Sequence, residues 1–335
     1  MEIGMIGLGR AGADMARCIL AAGHRCVVYD PSAEAVQALE QTGAVGAYDL
    51  SELIAELELP RVLCLMVPAA DTDRLIDALA KQLEADDILI DGGSSHYRAD
   101  IARARRLAPL DIRYLDVGSS GSPWSGDPGY CLMIGGDAET VQRVEPIFRA
   151  LAPGNGTSRT PGREGPPAPE EQGWLHCGPV GAGHFVKMAY EGIEQGILSA
   201  YAEGLNTLRR AGDDKAWQEP DAKNAALAAP TVLPYAIDLA KVTEVWRHGS
   251  LISSWLLDLT AGALLADSGT GKFVARVSDS GKGCRSSVPP VEASAPRAVL
   301  ATSLFARLAE PEEVDCTGCA PSAMPLGFGH QEKRV

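Results

Sequence analysis

MEIGMIGLGRAGADMARCILAAG, residues 1–23, holds three elements in succession. EIGMIG (2–7) is a short apolar run that reads as a strand, GLGRAG (7–12) is a glycine-rich turn, and ADMARCILAAG (13–23) has helical periodicity ending at Gly23, a residue type suited to a left-handed helix end. HRCVVYD (24–30) supplies a second strand closing on Asp30, and PSAEAVQALEQTG (31–43) has Pro just inside a helix start and Gly at its end. Further strands are expected at 61–67, 86–92, 113–118 and 129–136, with helical segments between most of them. That alternation predicts a mostly parallel, doubly wound sheet.

Working outward, the pattern changes twice. Residues 152–173, APGNGTSRTPGREGPPAPEEQG, are too polar and too broken to pack, so the stretch 152–180 reads as an exposed loop. From Gly183 to about Ala211 the pattern is continuous helix, strand signals then largely disappear, and the last 25 residues are a Pro- and Gly-rich irregular tail. A chain of 335 residues exceeds the usual single core of roughly 100–200. Two domains are therefore expected: an α/β domain over 1–180 and an all-α domain over 181–335.

Composition removes several function classes. With 46% hydrophobic and 22% charged residues the chain can bury a core, which argues against wholesale disorder. A net charge of −14 without a basic stripe opposes nucleic-acid binding, which needs Lys and Arg on phosphates. No apolar run approaches the ~20 residues that span a bilayer. MEIGMIGLGR reads as strand and turn rather than as an export signal, so a cytoplasmic protein is expected. Its eight cysteines then read as free thiols in a reducing compartment. Cys316 and Cys319 have CxxC spacing but no second pair nearby, so no metal site is expected.

Gly7, Gly9 and Gly12 form G-x-G-x-x-G between a strand and a helix, where glycine permits a tight turn and close approach of the backbone to a pyrophosphate. Asp30, 18 residues past Gly12, is placed to accept hydrogen bonds from ribose hydroxyls and to repel a 2′-phosphate. The next residues are Pro31 and Ser32 rather than Arg, so a Rossmann domain that takes NAD in preference to NADP is expected. Leu8, Arg10 and Ala11 within the turn, and Met66, Val67 and Pro68 after the 61–67 strand, complete the candidate cofactor-binding set.

Five ordered strings stand out: DGGSSHYRAD (91–100), DVGSSGSPWSGDPGYCLMIGGD (116–137), GPVGAGHFVKMAYEGIEQG (178–196), EVWRHGSLISSWLLDLTAGAL (244–264) and DSGKG (279–283). With them the sequence resembles the 6-phosphogluconate dehydrogenases, in their short, NAD-preferring form. The resemblance implies that the all-α domain carries substrate and dimer contacts, in a homodimer whose tail, here ending in Gly327, Phe328, Gly329 and His330, completes the neighbouring site. It also implies that a lysine takes the hydroxyl proton of a sugar acid and that a glutamate on the same helix protonates the enol left by decarboxylation. Lys187 and Glu194 match these positions. On a helix, seven residues separate two side chains by about 20° and about 10 Å along the axis, so both can face one substrate.

The departures from the family pattern fall on substrate contacts. Where the family helix continues with His and Asn, and with Tyr after its Glu, this chain has Tyr190, Glu191 and Gln195. Ser94 replaces an amide, Ser120, Gly121 and Ser122 stand for the Ser-Gly-Gly turn that holds a carboxylate, and DSGKGCR moves the family's arginine to Arg285. Glu191 lies one helical turn beyond Lys187, where a carboxylate favours the ammonium and repels an anionic ligand. Tyr190 reads either as the proton acceptor, with the Lys187 ammonium favouring its ionised form, or as an aromatic pocket wall. The expected function is NAD-dependent oxidation of a secondary hydroxyl on a sugar-like substrate other than 6-phosphogluconate. The alternative is a redox-neutral dehydratase or epimerase acting on a neutral sugar or nucleoside with NAD kept bound.

Overall fold

The computed structural model describes residues 1–121, 129–154, 166–211 and 237–266. Ser122, Arg285, His330, the CxxC pair and the tail lie outside the described residues.

Eight strands form one sheet: β1 (Glu2–Ile6), β2 (Arg25–Tyr29), β3 (Val45–Ala47), β4 (Val62–Leu65), β5 (Ile88–Asp91), β6 (Arg113–Ser120), β7 (Cys131–Gly135) and β8 (Trp174–Gly178), in the order β3-β2-β1-β4-β5-β6-β7-β8. Every neighbouring pair is parallel except β6–β7, which is antiparallel with Ser120 opposite Cys131. The helices are α1 (Arg10–Ala21), α2 (Ala33–Glu40), α3 (Leu50–Ala55), α4 (Ala69–Leu79), α5 (Tyr97–Leu107), α6 (Ala138–Arg143), α7 (Glu145–Leu151), α8 (Ala182–Arg210), α9 (Leu239–Arg247) and α10 (Trp255–Ala266).

The strand period of two explains why helices cover both faces. Ile3, Met5, Cys26, Val28, Cys64, Ile88 and Ile90 point to one side, where Met15 and Ile19 of α1, Val36 and Leu39 of α2 and Phe148 of α7 meet them. Ile6, Val27, Leu63, Leu65 and Leu89 point to the other, against Leu53 of α3, Ile76 and Leu79 of α4 and Leu107 of α5. Strands buried on both faces need continuous apolar runs, which is why VLCL and ILI contain no alternation. Each fully buried Leu or Ile contributes about 1.5–3 kcal/mol, so the two cores dominate the stability of this unit. Cys26 and Cys64 belong to the first core, and burial pushes both thiols up to about 12.

Two strands were not among the sequence expectations. β3 has three residues, only one of them buried, and is too short to show a period. β8 lies inside the stretch read as an exposed loop. Its polar setting belongs to its flanks, while Trp174 is buried and packs on Phe148 with ring centroids 6.3 Å apart.

The chain divides into two compact units after Tyr190, within the 29-residue helix α8. In the second unit Leu198 and Ala202 of α8 pack with Leu256, the Tyr201 hydroxyl donates to the Ile252 carbonyl at 3.0 Å, and Arg247 of α9 pairs with Asp258 of α10 at 2.7 Å. Among the described residues no helix is long and apolar enough to cross a membrane.

Candidate functional site

The sheet order reverses direction between β1 and β4, so the turns after these two strands open a crevice at their carboxyl ends. Gly7–Gly12 follows β1 and Met66–Pro68 follows β4. Gly7 has φ +94°, and a Cβ there would lie 2.6 Å from the Met66 carbonyl oxygen, so both conformation and space require glycine. A Cβ at Gly12 would overlap the Gly7 carbonyl, so the third glycine lets α1 start directly against β1. Gly9 behaves differently: it is exposed, and a Cβ would meet nothing within 4 Å. It is the N-cap of α1, whose first turn carries no side-chain cap and no acidic residue. Unpaired N–H groups and the positive end of the helix dipole therefore face open space, an arrangement that fits a pyrophosphate. Leu8 is buried, and Arg10 and Ala11 are exposed.

Asp30 is half-buried at the end of β2. Its Oδ2 accepts the Leu8 N–H at 2.7 Å and its Oδ1 accepts the Ser32 N–H at 2.8 Å. The carboxylate thus fixes the glycine turn and keeps further lone pairs for a ribose diol. Asp30→Ala is expected to weaken NAD binding about 10- to 100-fold, the worth of about 1.5–3 kcal/mol for a charged hydrogen bond. Calorimetric titration with NAD and NADP checks this, because the preference for NAD should shrink as well.

A second polar system sits where α8 meets the sheet. Asp116 of β6 accepts the Gly181 N–H at 2.6 Å and the His184 N–H at 2.8 Å, so one buried carboxylate serves two of the otherwise unpaired donors of a helix start. Close approach depends on Gly183, where a Cβ would lie 2.6 Å from the Asp116 carbonyl oxygen. His184 Nδ1 is 2.7 Å from Asp100 Oδ2 of α5, and Asp100 Oδ1 accepts from the Tyr114 hydroxyl at 2.9 Å. Arg103 donates to Asp91 at 2.9 Å, to Ser95 at 2.7 Å and to Asp73 at 3.0 Å, while Asp91 accepts the Gly93 N–H at 2.9 Å. Burial alone would push the His184 imidazole down, but the hydrogen bond to Asp100 and the charges of Asp100, Asp91 and Asp116 outweigh it and raise it to about 9. Burial pushes the Asp116 carboxyl up, against the pull of the two amides. Asp91, Asp100 and His184 have ligand atoms within 4.8 Å of one another, but the Arg103 guanidinium lies among these carboxylates, 3.6 Å from Asp100, and already supplies the positive charge a metal would bring.

One helical turn on, Lys187 crosses β6 at Gly118, where a Cβ would lie 3.0 Å from Lys187 Cγ. The Lys187 ammonium stands 4.6 Å from the centroid of the Tyr190 ring, and the Ser120 hydroxyl donates to the Tyr190 hydroxyl at 2.8 Å. The structure therefore brings Ser120, Lys187 and Tyr190 together. Ser94 is exposed in the turn after β5, and Gly121 follows β6 with φ +141°. Glu191, Glu194 and Gln195 are half-buried on α8, beyond the division between the two units. Sequence reasoning did not single out Asp91, Asp100, Arg103, Asp116 or His184. The available signal was charge inside strands that are otherwise apolar, ILID and YLDV.

The sequence family described as the NAD binding domain of 6-phosphogluconate dehydrogenase matches residues 2–158. An NAD(+)-dependent, decarboxylating 6-phosphogluconate dehydrogenase of Haloferax volcanii is 31% identical over 99% of this chain and 98% of its own length. The Bacillus subtilis protein YqeC, whose name assigns it provisionally to the same enzyme, is 32% identical over 98% of each chain. Among solved structures, Plasmodium falciparum 6-phosphogluconate dehydrogenase has a TM-score of 0.72 at 21% identity, covering 100% of this chain and 66% of its own, and supports the fold. The glycine turn on α1 and the end-to-end match to the archaeal enzyme agree, and this chain is an NAD-dependent oxidoreductase belonging to the 6-phosphogluconate dehydrogenase family.

Proposed function

We propose that the enzyme oxidises a secondary hydroxyl of a neutral, sugar-like substrate and does not act on 6-phosphogluconate. The observation that carries this reading is the Ser120–Tyr190 hydrogen bond of 2.8 Å. Ser120 matches the residue whose turn holds a substrate carboxylate in the family, and here its hydroxyl is given to a tyrosine. Glu191 adds a negative charge where an amide is expected, which opposes an anionic ligand.

NAD, held by the Gly7–Gly12 turn and Asp30, supplies the acceptor for the hydride. Ser94, Glu191 and Gln195 give hydrogen-bonding groups suited to hydroxyls. Lys187 supplies a fixed positive charge beside the oxygen that is deprotonated. Glu194 is available to protonate carbon only where oxidation creates a β-keto acid, a case the neutral substrate avoids. The homodimer and the cytoplasmic setting expected above belong to the same proposal. Nothing in the site favours the redox-neutral alternative, and the relatives above are named as dehydrogenases.

The test is NADH formation by purified protein across 6-phosphogluconate, unphosphorylated sugar acids, polyols, sugars and nucleosides. Steady NADH from a neutral polyol, sugar or nucleoside, with 6-phosphogluconate at least 100-fold poorer in kcat/KM, is the expected result. Efficient turnover of 6-phosphogluconate with release of carbon dioxide rejects the proposal.

A further inference from the structure

Three side chains from two elements converge beside the cofactor turns. Ser120 ends β6, which runs parallel to β5 and in the same sense as β1 and β4, so it lies on the sheet edge that also carries Gly7–Gly12 and Met66–Pro68. Tyr190 and Lys187 approach it from α8. Tyr190 is 37% exposed, so its hydroxyl can be reached by a ligand, whereas a tyrosine serving only as packing would be sealed by its neighbours.

We propose that Tyr190 is the catalytic base: its phenolate oxygen, fixed by the Ser120 hydroxyl beneath the Lys187 ammonium, removes the proton from the substrate hydroxyl. This assignment rests on the reading of the enzyme as an alcohol oxidiser.

The direction of the hydrogen bond is informative. Ser120 donates and the tyrosine oxygen accepts, which favours the charged phenolate over the neutral phenol. An ammonium over the ring face adds to the same preference, because the electron-rich face becomes more negative on ionisation. If Lys187 were the base it would have to lose its charge, and with it the attraction to the ring. With Tyr190 as base, opposite charges face each other in the reactive state. Among the described residues, Cys131 of β7 lies opposite Ser120, and Glu191 and Glu194 follow Tyr190 along α8. Burial pushes the Cys131 thiol up and the Lys187 charge pulls it down, so the positive charge of Lys187 is felt across β6 and β7. The two glutamates oppose ionisation of the phenol, and the Ser120 donor and the Lys187 charge must outweigh them.

The step balances. The phenol first gives its proton to solvent. The substrate O–H proton then passes to the phenolate, and the carbinol C–H bond leaves with its electron pair as hydride to NAD. The products are a ketone, a neutral Tyr190 and reduced cofactor. No carboxylate is needed on the substrate, so no carbon dioxide is released.

The experiment needs no substrate. Tyrosinate absorbance in the near ultraviolet is titrated for the full-length protein and for Tyr190→Phe, and the difference isolates one of the eight tyrosines. The expected difference curve has a midpoint below the ordinary tyrosine value of about 10, and it moves up by about one unit in Ser120→Ala and in Lys187→Met. A midpoint at or above about 10, or one indifferent to both substitutions, overturns the assignment. NAD binding in all three variants, followed by calorimetry, shows that they fold. A low midpoint in a protein that forms no NADH from any hydroxyl compound would sink the substrate reading while supporting the phenolate. Normal NADH formation with a high midpoint would do the reverse. Once a substrate is identified, Tyr190→Phe is expected to lower kcat about 10²- to 10⁴-fold and to remove the acid-side limb of the pH profile, where activity rises as the phenol ionises, with KM little changed.

Discussion

Arg103→Met lowers the unfolding free energy by about 3–5 kcal/mol, a large share of the ~5–15 kcal/mol available to a typical domain. Arg103 is 3% exposed, and its guanidinium lies 2.9 Å from the buried Asp91 carboxylate and 3.6 Å from that of Asp100, which also faces His184. Methionine fills a similar volume but leaves Asp91 without its cationic partner, so the cost is the desolvation of unpaired charge rather than a packing defect. Asp91→Asn in the same background removes part of that charge, and the double variant should lose clearly less than the sum of the two single losses. The exposed pair Arg74–Asp71, at 2.9 Å, is the control: Arg74→Met should cost less than about 1 kcal/mol. Urea unfolding followed by circular dichroism reads the four variants against the unsubstituted protein. Equal losses for Arg103→Met and Arg74→Met would reject the account. The same substitution should reach the site, because Asp91 also holds the Gly93 N–H that shapes the turn carrying Ser94.

What the sequence made legible was local. The G-x-G-x-x-G turn, the apolar runs of the central strands and the long period of α8 are each written within a few dozen residues, and the doubly wound sheet and the NAD site follow from them. β8 was hidden because five strand residues are embedded in polar neighbours that do not share their burial. The polar network was hidden for another reason. Its members are ordinary surface residue types until the chain folds, and its key contact, His184 to Asp100, joins residues 84 apart. The contact of Ser120 with Tyr190, 70 residues apart, is of the same kind. Comparison with the family pattern marked Tyr190 as altered and Ser120 as the unchanged first residue of an altered turn, but only the folded arrangement shows that the two meet.

Stability should fall as pH rises from about 6.5 towards 9, and His184→Gln should remove most of that slope. His184 is 4% exposed, and neighbouring carboxylates raise its imidazole to about 9, above the ordinary value of about 6.5. A base whose folded value is raised contributes stability that is complete below the unfolded value and lost as pH climbs through the folded one. Within that window the folded state holds a proton the unfolded chain has released, so the unfolding free energy declines by at most about 1.4 kcal/mol per pH unit. Opposing forces limit the gain: Nε2 has no hydrogen-bond partner among the described residues, and a cation at a helix start opposes the helix dipole. Asp100 at 2.7 Å and Asp116 at the first turn must outweigh both. Burial also raises the Cys18, Cys131 and Cys177 thiols, which steepens the decline only above about 8.5, so the comparison belongs between 6.5 and 8.5. Identical slopes for the two proteins, or an imidazole that titrates below 6.5 by NMR, would show that Asp100 binds a neutral ring. In that case Asp116 alone would anchor the start of α8, and with it the approach of Lys187 to β6.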